Sequence, residues 1–146
     1  MQSIRVLDLY PGQHPKRNFT VLYNLGDLHV RLSRLHDAIG TFTKALTFQP
    51  ASLDARAALT HLLFRTGQLR RGRQELKTVL ATNLCDYKTG LDLVDSCVDL
   101  LDFSDPRHDD EGRNEMLNTI KEAYGLLTNR WKNEDKARSQ RKSADA

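Results

Sequence analysis

The sequence holds only two cysteines, Cys85 and Cys97, among 146 residues. Two thiols are too few by themselves for a structural zinc site, and without an export signal they point to free cysteines in a reducing compartment. No run approaches the ~18 consecutive apolar residues of a membrane span. The opening stretch MQSIRVLDLYPG lacks the long apolar core of a secretory signal. Aromatic residues make up only 7% of the chain and do not interleave with the arginines, which leaves base stacking little to work with. No glycine-rich phosphate loop is present, and no serine or cysteine occupies a nucleophile elbow. No two of the histidines, His14, His29, His36, His61 and His108, have metalloprotease spacing. Period-2 alternation is also missing, which excludes a sheet. These absences predict a chain that is not an enzyme and binds no cofactor and no metal.

What is present is helical. Hydrophobic residues make up 39% and charged ones 28%. Leu22, Leu25, Leu28, His29 and Leu32 share one helical face, and Ala38, Phe42, Ala45 and Leu46 mark a second helix. Ala55, Leu59, Leu62 and Leu63 mark a third, and Leu69, Leu76, Val79 and Leu80 a fourth. Leu91, Val94, Cys97, Val98 and Leu101 mark a fifth, and the sixth runs from Met116 through Ile120, Ala123 and Leu127 to Trp131. Breaks fall at Pro11 to Pro15, near Ser33, at Pro50, at Gly67, near Asn83 and at FSDPRHDDEG (103–112), where Asp105 before Pro106 suits a helix start. Short connections make paired helices antiparallel neighbours.

Sliding the chain by 34 residues places Leu25 on Leu59, Ser33 on Gly67, Leu35 on Leu69, Phe42 on Leu76 and Leu46 on Leu80. The order Leu22, Leu25, Gly26 and His29, then Ala38, Phe42 and Ala45, then Pro50, resembles the tetratricopeptide repeat. Leucine stands where that family usually has tryptophan, and histidine where it has tyrosine. The resemblance implies an all-α fold: a short right-handed superhelical solenoid of antiparallel helix pairs. It covers 19–52 as a first repeat and, more weakly, 53–86 as a second, where Thr60 replaces the small residue, Gly72 an alanine and Leu84 the proline. Residues 87–131 keep only helix spacing and are expected as a degenerate third pair or cap. Residues 1–18 are expected as part of a preceding repeat or a cap, with Ile4, Leu7 and Leu9 packing inward. The basic end, 132–146, is expected as a disordered tail. Gly26 and Ala38 are then small because two helices cross closely there.

In such arrays the first helix of each pair lines a concave groove. By this register the groove presents Tyr23, Asp27, Val30 and Arg31, then His61, Phe64 and Arg65, then Asp92, Asp95 and Asp99. One branch of the family grips chaperone C-terminal carboxylates with cationic residues. The matching positions here are Tyr23, Asp27, Ala58 and Asp92, two of which repel a carboxylate, so that activity is not expected. Asp92, Asp95, Asp99 and Asp102 put four carboxylates on one helix face. They form a solvated face, a groove wall for a basic peptide, or a metal site; calcium normally wants a loop that wraps it. Net charge is +3 overall, yet 87–128 carries −6.

The favoured expectation is a non-enzymatic adaptor or scaffold that holds a peptide segment or helix of another protein, in the cytoplasm or nucleus. One alternative is a nucleic-acid-associated repeat using Arg70, Arg71, Arg73 and the basic end, against which the acidic region counts. Another is a truncated array that is stable only inside a larger complex.

Overall fold

The computed structural model describes residues 14–82, 85–101 and 110–145, which form six helices and no strand. The expected N-terminal cap of Ile4, Leu7 and Leu9, the Asp105–Pro106 helix start, Leu84, Asp102 and His108 fall outside these residues. The chain divides into two compact units, one ending at Gln68 and one beginning at Leu69.

The first unit contains α1 (Pro15–Arg31), α2 (Leu35–Phe48) and α3 (Leu53–Arg65). Pro15 takes the first helical position, where a missing N–H costs nothing. Ser52 caps α3, its hydroxyl accepting from the Ala55 N–H at 3.3 Å. α2 packs against both α1 and α3, and the three- and four-residue connections make successive helices antiparallel. Ala38, Ile39, Phe42 and Leu46 from α2 meet Ala55, Leu59, Leu62 and Leu63 from α3 in one core, with Phe19, Tyr23 and Val30 packed against it. Gly26 explains itself here: a Cβ built on it would lie 2.8 Å from the Phe42 ring. The ring fills the space a side chain would take, which offsets the helix propensity that glycine gives up.

The 34-residue offset reappears in the backbone. After α1, Ser33 has φ +59, the Ser33 N–H bonds the Val30 carbonyl and the Arg34 N–H bonds the His29 carbonyl. After α3, Gly67 has φ +81, the Gly67 N–H bonds Phe64 and the Gln68 N–H bonds Leu63. Both are left-handed closing turns of the same hydrogen-bond pattern. Pro50 follows the end of α2, in keeping with the expected break there. α2 ends at Phe48 with Gln49 as its cap, and Pro50 is exposed in the turn, where its carbonyl accepts from the Arg56 guanidinium at 3.0 Å.

The second unit contains α4 (Leu69–Ala81), α5 (Tyr87–Asp99) and α6 (Asp110–Asp145). α6 packs against α4 and α5. Gly90 of α5 permits this approach, since a Cβ there would come within 2.8 Å of Leu80 and 2.9 Å of Leu127. α6 is 36 residues long and takes in the residues expected as a disordered tail. Two causes are visible. No glycine or proline follows Gly125, and 132–142 is rich in Lys, Arg, Glu, Gln and Ala, which lose little on entering a helix. Its inward stripe is Met116, Thr119, Ala123 and Leu127, whereas Leu117, Tyr124 and Trp131 remain exposed. Among the described residues no helix is long and apolar enough to cross a membrane.

Candidate functional site

In the first unit the expected groove residues divide. Phe64 is only 3% exposed, so it belongs to the packing and cannot grip a partner as expected. Tyr23 is half-buried, its ring edge-on to Phe42 at 5.5 Å and tilted against Phe19 at 5.9 Å. Burial, then Asp54 and Asp27 nearby, pushes its phenol above the usual range, so it stays protonated. Val30 packs against the core. Asp27 and Arg31 pair with each other at 2.8 Å across one helical turn. Such an exposed pair contributes about 0.3–0.5 kcal/mol, and it occupies the guanidinium that the expected groove would present. His61 is half-buried, and burial followed by Arg65 lowers its pKa, which favours the neutral ring. Arg65 is exposed. The packing residues Leu22, Ala38, Phe42 and Ala45 are buried, Gly26 with them, while Leu25 and His29 are half-buried. The Nδ1 of His29 is enclosed without a hydrogen-bond partner.

In the second unit Asp92, Asp95 and Asp99 all lie exposed along α5. Spacings of three and four set them on one side of the helix. Asp95 accepts a hydrogen bond from the Tyr124 hydroxyl at 2.9 Å. That bond, with lesser contributions from burial and from the charges of Asp95 and Asp99, raises the Tyr124 pKa. No ion pair among the described residues involves Asp92 or Asp99, and none of the cations on the last turns of α6 neutralises the stripe. The arginine cluster is less free than its sequence suggests. Arg73 and Lys77 of α4 both face Glu122 of α6.

Several residues passed over in the sequence hold this unit together. Arg130 donates from Nη2 to the carbonyls of Leu80 at 2.9 Å and Thr82 at 2.8 Å, satisfying the open end of α4. Glu134, one helical turn further, accepts from the Tyr87 N–H at 2.9 Å at the start of α5. Asp86 caps the same end by accepting from the Thr89 N–H at 2.8 Å, which lowers its pKa. Glu134 lies in the stretch expected as a tail and Arg130 four residues before it, at the end of the expected sixth helix, so their i,i+4 spacing was the signal in the sequence.

The thiols are not poised for chemistry. Burial pushes Cys97 up to about 12, and burial also raises Cys85, against a lowering by Arg130. Among the described residues no cluster of His, Cys, Asp and Glu converges as a metal site. No protein-family model matches the chain. No curated protein matches it. Among solved structures it is similar to "MamA RS-1 ArsTM double mutant", at 18% identity over 92% of this chain and 88% of that one, with a TM-score of 0.46.

Proposed function

We propose that the chain is a non-enzymatic protein-interaction module whose second unit holds a basic segment of a partner against α5. The observation that carries this reading is the exposed stripe of Asp92, Asp95 and Asp99, in which no cation among the described residues pairs with Asp92 or Asp99. Three exposed carboxylates at this pitch repel one another and mildly destabilise a helix. The protein supplies no counter-cation to Asp92 or Asp99 among the described residues, so a cationic ligand gains attraction with little to displace. An extended or helical peptide with Lys or Arg at matching intervals fits this face. Arg31, Arg65, Tyr23 and Asp27 are assigned no contact with that segment.

The test is fluorescence anisotropy with labelled peptides of matched length that are basic, neutral or acidic. The wild-type chain is expected to bind the basic peptides, more weakly as salt rises. Asp92→Asn/Asp95→Asn/Asp99→Asn is expected to lose that binding, while Arg31→Ala keeps it. Equal binding of acidic and basic peptides, or an unchanged triple variant, would sink the reading.

A further inference from the structure

Beside the acidic stripe, α5 and α6 enclose a cavity of about 220 Å³ lined by Tyr87, Tyr124, Leu127, Thr128 and Trp131. Four of these come from one face of α6, at successive spacings of three, one and three. Tyr87 closes the site from the first turn of α5. Three aromatic rings around one opening are unusual in a chain with only 7% aromatics. Tyr124 and Trp131 are 39% and 45% exposed, while α6 directs Met116, Ala123 and Leu127 inward.

Two hydroxyls of the lining already donate within the protein. The Thr128 hydroxyl donates to the Tyr124 carbonyl, and the Tyr124 hydroxyl donates to Asp95. The carboxylates stand around the cavity: Asp95 beyond Tyr124, and Glu134 and Asp86 at the start of α5, where they also offset the positive end of that helix. The result is a cavity lined by aromatic side chains with three carboxylates nearby, among which Lys88 acts on Asp86 and Arg130 lies beside Cys85. Ring faces attract cations, most strongly cations that are weakly hydrated. An unmodified ammonium is strongly hydrated and gives up that water on entering a ring-lined site. A quaternary ammonium has no N–H to satisfy.

We propose that this cavity receives the head group of a trimethylated lysine, presented by the basic segment that lies along Asp92, Asp95 and Asp99. The stripe favours a peptide source over a lipid head group, because a peptide brings the further cations that the stripe can engage. This inference rests on the reading of that stripe as a peptide surface.

Trp131 is the only tryptophan, so its fluorescence reports directly on the site. Three versions of one basic peptide serve as probes: lysine, trimethyl-lysine, and the neutral carbon isostere with a tert-butyl head. The trimethylated peptide is expected to change Trp131 emission saturably and to bind about tenfold tighter than either of the others. Tyr87→Leu is expected to remove that preference and leave the lysine peptide's affinity unchanged. The comparison among the three peptides needs no variant, so a Tyr87→Leu chain that fails to fold does not void it.

If the isostere binds as tightly as the cation, the cavity is merely apolar and the proposal falls. If the three peptides bind alike and lose affinity together in the Asp92→Asn/Asp95→Asn/Asp99→Asn chain, the acidic surface stands and only the cage falls. If choline changes the emission saturably while no peptide binds, both the peptide source and the acidic-surface reading are overturned.

Discussion

The two units reach stability by different routes. In the first, apolar side chains join the helices: Phe42 fills the hollow at Gly26, and α2 and α3 share one core. Its threonine hydroxyls turn back on their own helices, as Thr20, Thr41 and Thr60 do toward carbonyls four residues earlier. In the second, polar side chains reach across the sequence. Arg130 closes the end of α4 about fifty residues away, Glu134 meets the start of α5, and Glu122 faces Arg73 and Lys77. An apolar contact is a matter of volume and tolerates changes that conserve it. A hydrogen bond to a half-buried carbonyl depends on one group in one place, and its loss removes a donor that a volume-conserving substitution does not replace.

The sharpest way to break the comparison is at Phe42. Phe42→Ala is expected to cost about 3–5 kcal/mol, because it empties the space between α1 and α2. Chemical denaturation of the full chain measures it. Gly26→Ala approaches the same contact from the other side. It gains about 1 kcal/mol of helix propensity but drives a Cβ into a ring that is itself 2% exposed and cannot swing aside. It is therefore expected to destabilise. Gly90→Ala meets the tips of Leu80 and Leu127, which yield more easily, and is expected to cost less. If Gly90→Ala proves the costlier of the two, the contrast between a wedged ring and movable methyl groups is wrong.

Next in size is the polar bridge. Arg130→Met keeps the aliphatic stem and removes the guanidinium, leaving the Leu80 and Thr82 carbonyls without that donor. The expected cost is about 1–3 kcal/mol. Hydrogen exchange locates it, with amides of α4 and the start of α5 losing protection before those of α2. Equal loss in both units would show that Arg130 stabilises the whole chain and not its own unit.

The contrast also explains what the sequence made legible. Apolar periodicity placed all six helices, and the 34-residue offset anticipated two matching turns at Ser33 and Gly67. Periodicity names residues that share a face, but whether a neighbour covers that face is a tertiary fact. Leu28 and Leu32 lie on the expected stripe and yet are 49% and 56% exposed. Phe64, expected at a surface, is buried. The bridges of the second unit left still less trace, since an arginine that caps a helix fifty residues away looks like any other surface arginine. The long α6 was missed for the same reason. A charged, apolar-poor segment can be a tail or a helix, and its propensity tips the balance only where a packed portion has already nucleated it.

The smallest effect belongs to the two closing turns, and it tests the repeat itself. Both turns require a left-handed residue, but the first uses Ser33 and the second Gly67. A residue with a side chain pays roughly 1 kcal/mol there, which glycine avoids. Ser33→Gly is therefore expected to stabilise the chain by about 0.5–1 kcal/mol, the relief being partly offset by the greater freedom of glycine in the unfolded chain. Gly67→Ala is expected to cost a similar amount. Opposite signs, read from paired denaturation curves, would show that one turn geometry recurs 34 residues apart under a common backbone demand. If Ser33→Gly destabilises, the serine contributes a local contact that outweighs its strained backbone, and the two turns are alike in shape but not in energetics.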